Sequence, residues 1–320
     1  MDNQLPTGQV RVPVRAGGAA TLIGWHTRSK DALLGYALLL PALLVILALV
    51  AYPTLYAIWM SFYRKLLGAS EIPFVGLDNY ITVLTGKLFW PSLGRTIIFT
   101  VGAVAIKLVV GLITAIVLHE PWWGRGLARA TVLLPWALPP LTAVLTWRFL
   151  MSDMTNVLNY IFFKFNLISE PIPWLYDPEW AMGSVILINV WRGFPFFALT
   201  LLAGLAAVPA DLYDAAQVDG AHLWQRFWHV TLPGIFPVLM VSLTLSLIWT
   251  SNEFGGIWLL TAGGPGEATT TLGVATYQVG FVGVRNLSQA AVYSILAFPM
   301  MILLVNILSR AIAAREENVL

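Results

Sequence analysis

The chain has no cysteine among its 320 residues, which excludes disulfides, thiolate-held metals and thiol catalysis. Charge is scarce as well: 11% of the residues are Asp, Glu, Lys or Arg, against 58% hydrophobic. A water-soluble globule of that composition would be left insoluble, so the chain reads as an integral membrane protein. It lacks a Gly-x-x-x-x-Gly-Lys-Ser/Thr phosphate loop, since Gly86-Lys87 is followed by Leu88 and has no preceding glycine; it is not expected to be its own ATPase. His119-Glu120 is followed by Pro121 with no second histidine at the zinc-protease spacing, and the four histidines make no ligand constellation. No Ser/His/Asp set or paired carboxylates stand out, so neither catalytic residues nor a metal site are expected. The net charge of +2 suits an anionic inner leaflet and needs no nucleic acid to explain it.

What is present is apolar sequence in long runs. Six stretches, near residues 33–60, 96–118, 130–151, 180–202, 234–259 and 289–312, reach the roughly 20 helical residues that cross a hydrocarbon core. They lack the alternation of barrel strands, so all six are expected to be α-helices with their backbone groups paired internally. Pro41, Pro53, Pro135, Pro139, Pro140, Pro195 and Pro299 fall in or near them, which predicts kinked helices. Residues 1–30 carry Gly, Pro and Arg without apolar periodicity and read as a flexible cytoplasmic tail ahead of a membrane domain over 31–320. They do not read as a cleaved signal peptide, because the apolar run that follows is too long for an h-region and no small-residue cleavage site follows it. Arg11, Arg15, Arg28, Lys30, Arg125, Arg129, Arg226, Arg310 and Arg315 outnumber Arg64, Lys65, Lys87, Lys164 and Arg285 on the opposite side, which favours both termini in the cytoplasm.

The connection after the fourth stretch is unusually ordered. Residues 214–233 read as a short helix, a turn at Asp219-Gly220 and a second short helix stopped at Pro233. Asp211 and Asp214 suit the first turn of the first helix, where carboxylates complement the dipole. Gly220 can reverse the chain at positive φ. Ala215, Ala216 and Ala221 are small enough for a partner's groove to close on, and Leu223, Trp224, Phe227, Trp228 and Val230 offer apolar matter at helical spacing. From the residues alone, two readings stand side by side: a docking element, and an interfacial helix lying on lipid headgroups.

Two polar stripes interrupt the apolar runs. Asn189, Arg192, Gly193 and Phe196 are spaced i, i+3, i+4 and i+7; Ser242, Ser246, Trp249, Thr250 and Glu253 follow at i, i+4, i+7, i+8 and i+11. Each set lies on a single helical face. Polar groups inside a membrane are costly unless paired or wetted, so the stripes predict a water-filled cavity. Amide, hydroxyl and carboxylate groups suit the hydroxyls of a sugar, and aromatic faces suit its C–H surface. The structural alternatives are hydroxyls bonded to their own helix, Gly193 as a close-packing site, and an Arg192–Glu253 ion pair. Lys107, in the middle of the second stretch, is open to snorkelling, pairing or a place on the path, where it would meet an anionic substrate. Trp191 and Trp249 are the tryptophans of interest for a path; most of the others mark membrane boundaries.

Asp214-Ala-Ala-x-x-Asp-Gly-Ala221, Phe227 and Thr231-Leu-Pro233 resemble the "EAA" loop of permease subunits in bacterial ABC importers. Tyr213, Phe74-Val-Gly-Leu-Asp-Asn-Tyr80, Trp191-Arg-Gly-Phe-Pro-Phe196, Ala203-Gly-Leu205 and Thr261-Ala-Gly-Gly-Pro265 are similar to the carbohydrate branch. Within it they look like the maltose and glycerol-3-phosphate type, and like the first of its two different permeases. The likeness covers nearly the whole chain; Asp214 departs from the usual glutamate. It implies an all-α type I importer permease fold of six transmembrane helices in a bacterial inner membrane, with a cytoplasmic coupling loop at 204–233. Asp214, Ala215, Ala216, Asp219, Gly220, Ala221, Phe227 and Pro233 would then couple to the ATPase. Substrate contacts would fall on Asn189, Arg192, Gly193, Phe196, Ser246, Trp249, Thr250 and Glu253, with Thr142 and Thr146 as additions from the third helix. The implied partners are a second permease, two ATPase subunits that bind ATP and Mg, and a periplasmic substrate-binding protein; this chain itself would hold no cofactor. The rival reading is a stand-alone secondary carrier with Lys107, Arg192 and Glu253 as an ion relay, which predicts internal repeats that the sequence does not display. A membrane scaffold is a further rival.

Overall fold

A computed structural model describes residues 24–151, 157–283 and 285–316. The chain divides into two units, residues 1–56 and 57–320. In the first, α1 (Gly24–Ile46) runs through a π turn at Leu47–Ala51 into the start of α2 (Tyr52–Ser61). The stretch Leu34–Ser61 is long and apolar enough to cross a membrane, and side chains such as Leu38 and Leu49 are 72% exposed, as suits contact with lipid. Helix begins at Gly24, so it enters the stretch read as a tail; residues 1–23 lie outside the described residues.

In the second unit, Tyr63 and Phe74 form an isolated antiparallel bridge ahead of α3 (Asp78–Thr85). Asn79 is buried and donates to the carbonyls of Ser61 and Tyr63, each at 2.7 Å. The Phe74–Tyr80 signature thus has a structural role, satisfying carbonyls released where the first span ends. Next comes α4 (Phe89–His119), an α-helix of 31 residues, and a turn at Gly124 with φ +89°. Arg129 donates to the carbonyl of Leu118 at 2.8 Å, tying that turn together.

The third apolar stretch is not one kinked helix. It is broken into α5 (Arg125–Ala137) and α6 (Pro140–Met151), which meet at 90°. Leu138 precedes Pro139 and is held extended, at φ −68° and ψ 138°, because the proline ring clashes with a helical predecessor. After α7 (Val157–Lys164), α8 (Pro178–Ala207) starts with Asp177 accepting from the amide of Glu179 and Pro178 in the first turn. It stops at Val208, again extended before a proline.

Then follow α9 (Ala210–Val218), α10 (Leu223–Arg226), a π turn at Phe227–Thr231 and α11 (Leu232–Ser251). The fifth apolar stretch also ends early. Asn252 to Phe254 break the helix before α12 (Gly255–Thr261). After a loop come α13 (Leu272–Tyr277), a π turn at Gln278–Val282 and α14 (Leu287–Glu316). Against the six spans expected, the described residues hold four unbroken helices long and apolar enough to cross a membrane, or five with the bent α5–α6 pair. The apolar described part of α14, Leu287–Leu303, is shorter than those.

The most extensive helix pairing is α4 on α8. Gly111 permits it, since a Cβ there would overlap that of Phe197 and stand 3.1 Å from the amide of Ala198. Two apolar clusters sit along this pair. One includes Phe99, Val144, Val185, Ile188 and Ile257; the other Val104, Phe197, Leu201, Ile235 and Leu239. On α8, Asn189, Arg192, Gly193 and Phe196 fall between Ile188 of the first and Phe197 of the second.

Candidate functional site

Between those clusters lies a polar cavity of about 100 Å³, walled by Lys107 of α4, Trp136 of α5, Asn189, Arg192, Gly193 and Phe196 of α8, Ser246, Trp249 and Thr250 of α11, and Glu253. The two stripes therefore face one space. Arg192 Nη2 and Glu253 Oε2 pair at 3.3 Å. Glu253 does not continue the α11 face, as the i+11 spacing predicts; the helix ends at Ser251. Freed from helical direction, its second oxygen accepts from the amide of Gly256 at 2.7 Å and so satisfies a free amide at the start of α12. Phe196 and Trp249 meet edge to face with centroids 5.1 Å apart, and this pair supplies the aromatic part of the wall.

Other candidates go elsewhere. Thr142 and Thr146 are exposed and bonded to each other, Thr146 Oγ1 donating to the carbonyl of Thr142 at 2.9 Å; neither lines the cavity, and both lie on the exposed face of α6, whose Val144 is buried beside Asn189 and Glu253. Ser242 takes the structural reading, donating to Thr200 Oγ1 at 3.0 Å and to the carbonyl of Val238 at 2.8 Å. Trp191 packs on Trp147 at 5.4 Å and is absent from the cavity wall. Trp136 is the lining residue that sequence reasoning missed. Its signal was its place beside Pro135, two residues ahead of the break at Leu138.

The segment after α8 is an exposed reversal. Asp211 lies in the first turn of α9, while Asp214 falls a turn later than expected. Gly220, at φ +78°, closes the helix: its amide donates to the carbonyl of Gln217 at 3.1 Å and that of Ala221 to Ala216 at 2.9 Å, satisfying carbonyls at the helix end. His222 and Gln225 form a reciprocal cap that starts α10. Phe227 stacks on Trp224 with centroids 5.8 Å apart. Pro233 does not stop the second helix. It sits in the first turn of α11, and helix runs without interruption from Leu223 to Ser251. The α10 end of the reversal is thus continuous, through the π turn, with the span that carries Ser246, Trp249 and Thr250. Asp214, Ala215, Asp219 and Gly220 are exposed; Ala216, Ala221 and Phe227 are half-buried. Tyr213 Oη donates to Thr231 Oγ1 at 3.2 Å, joining α9 to the base of that long helix. Gly204 to Ala207, expected in the loop, remain in α8.

The Thr261-Ala-Gly-Gly-Pro265 signature lies in a closely bonded loop. Thr261 and Thr269 hydroxyls are 2.6 Å apart, and Thr270 Oγ1 donates to the carbonyl of Gly263 at 3.0 Å. Gly263 has φ +92°, and a Cβ there would stand 2.6 Å from Thr270 Oγ1.

Apolar helices of bilayer length, a polar cavity between them and an ordered, exposed reversal continuous with one of them define the class of membrane transport subunits. Residues 107–317 match the family of binding-protein-dependent transport system inner membrane components. The trehalose/maltose transport system permease protein MalF of Thermococcus litoralis is 38% identical over 273 residues, 85% of this chain and 91% of that protein. The trehalose transport system permease protein SugA of Mycobacterium tuberculosis is 34% identical over 274 residues, 85% of this chain and 86% of that one. In fold, the chain superposes with a TM-score of 0.75 on a chain of a bacterial ABC transporter involved in the import of the acidic polysaccharide alginate, covering 90% of this chain and 98% of that one at 24% identity. The chain belongs to the family of binding-protein-dependent transport system inner membrane components. It is an importer permease subunit, which sets aside the stand-alone carrier.

Proposed function

We propose that this subunit carries a sugar or sugar derivative and that the cargo passes through the cavity between α4, α8 and α11. The observation that carries the reading is the composition of that wall: an amide, two hydroxyls and an ion pair beside an edge-to-face aromatic pair. A polyhydroxyl ring presents oxygens at its rim and C–H groups on its faces, and needs both kinds of surface. The names of the relatives in T. litoralis and M. tuberculosis support trehalose or maltose as the first cargo to try.

In this reading the chain pairs with a second, different permease and with two ATPase subunits that bind ATP and Mg. A periplasmic binding protein delivers the cargo. Both termini lie in the cytoplasm, following the Lys and Arg distribution. The α9–α10 reversal seats in the ATPase. Because α10 continues into α11, a rotation imposed on the reversal is carried to the cavity wall, and access alternates between the two sides. ATP hydrolysis belongs to the partners, and this chain performs no covalent chemistry.

The test is uptake by the assembled transporter in proteoliposomes. Asn189→Ala and Glu253→Ala are expected to lower the transport efficiency about tenfold, the equivalent of one lost polar contact, with the ATPase still co-purifying. Unchanged kinetics and selectivity in both variants would withdraw the cavity assignment.

A further inference from the structure

Lys107 stands in the middle of α4 and is 5% exposed, yet it lines the polar cavity. Arg192 pairs with Glu253 and Arg95 with Glu267; Lys107 joins neither and donates to Thr250 Oγ1 at 3.0 Å. An ammonium carries three donors, and one hydroxyl takes one of them. Its stem is admitted by Gly193. A Cβ at that position would stand 2.7 Å from Lys107 Cε and 3.1 Å from Nζ, so any side chain there would displace the lysine. A lysine seated over a bare backbone notch and steadied by a neutral hydroxyl is placed to present its head to the cavity. The same wall holds a buried acceptor with no protein partner, Asn189 Oδ1. A hydroxyl-rich ligand satisfies such a donor and acceptor together, which removes the cost of leaving them unpaired.

We infer that Lys107 is a substrate-contacting, specificity-determining residue whose ammonium donates to an oxygen of the transported sugar, with Gly193 and Thr250 as its positioning residues. The inference rests on the cavity being the sugar path proposed above. It gives Gly193 a reason to be glycine other than helix packing: α8 must leave room there for a side chain of α4.

The experiment uses the assembled transporter with its binding protein in proteoliposomes and compares uptake of trehalose, maltose and their monodeoxy analogues. The binding protein is the same throughout, so its own preference cancels when variants are compared. Wild type is expected to move at least one deoxy analogue about tenfold less efficiently than its parent sugar. Lys107→Met is expected to lower transport of the parent about tenfold and to erase the preference over that analogue, because the contact that reads the missing oxygen is gone. Gly193→Ala should erase the same preference, and the double variant should be no worse than Lys107→Met alone. Lys107→Gln, which keeps a donor on a shorter stem, is scored in parallel and should retain part of the preference. Wild-type preferences preserved in both Lys107 variants, whatever their rates, would overturn the inference and leave Lys107 a structural residue, as would a wild type indifferent to every deoxygenation. Wild-type uptake of none of these sugars would overturn the reading of the cavity as a path for trehalose or maltose, and this inference with it.

Discussion

Glu253 shows how much can rest on one side chain. Its two oxygens hold Arg192 at 3.3 Å and the amide of Gly256 at 2.7 Å, and the paired side chains are only 25% and 16% exposed. Removing one partner leaves the other charge largely buried and without its ion-pair partner, at a cost of about 3 kcal/mol. Glu253→Gln is therefore expected to lower the melting temperature of the purified assembled transporter, and Arg192→Gln combined with it to recover part of the loss. A single variant that melts like wild type would show that the pair does not contribute to stability. At this scale, sequence spacing placed Asn189, Arg192, Gly193, Phe196, Ser246, Trp249 and Thr250 on shared faces, and all seven line the cavity. Thr142, counted on the third stretch, lies on the exposed face of α6 and not on this cavity.

Among the elements, the reversal and the loop after α12 depend on different glycines for different reasons. At Gly220 a Cβ meets nothing within 4 Å, so a substitution costs only the positive φ, about 1 kcal/mol. Gly220→Asp is accordingly expected to insert and fold at wild-type levels and yet to abolish uptake by misdocking the ATPase; normal uptake would remove the coupling role. At Gly263, which also has positive φ, an added Cβ would stand 2.6 Å from Thr270 Oγ1 and 2.8 Å from Gln278 Nε2. Gly263→Ala should then destabilise the loop itself, which faster limited proteolysis between α12 and α13 would report; an unchanged cleavage rate would contradict that crowding. Both positions were visible in the sequence as glycines in short motifs. Which of them is spatially crowded was not, because Thr270 and Gln278 reach Gly263 only through the folded loop.

For the molecule as a whole, the measurement to make is a pull-down of the tagged chain from its native host in detergent or nanodiscs. Recovery of an ATPase and a second permease is expected; a chain that purifies alone under conditions that preserve known complexes would contradict the proposed assembly. The cavity of about 100 Å³ in this chain is small for a disaccharide, in keeping with a path completed by a second permease. In the proposed assembly the α10–α11 continuity, Leu223 to Ser251, would be the physical link between an ATPase movement and that path. Proline reading suggested a stop at Pro233 and thereby obscured the link; the helix instead passes through a π turn at Phe227–Thr231 just ahead of that proline, and membrane helices tolerate proline where such local adjustments re-satisfy the freed backbone groups.

Apolar runs and scarce charge determined by themselves that this chain is helical and belongs in a membrane, because backbone groups without water must pair within their own segment. The Asp214–Pro233 motif and the two polar stripes likewise determined where to look for coupling and for a path. Leu138 before Pro139 carried the break in the third run, but only the tertiary structure decided that α5 and α6 meet there at 90° and that Glu253 leaves its helix to pair with Arg192. It also decided that Lys107 enters the cavity through the gap at Gly193. Those outcomes depend on which helices lie side by side, and the helical period of a single segment carries no record of its neighbours.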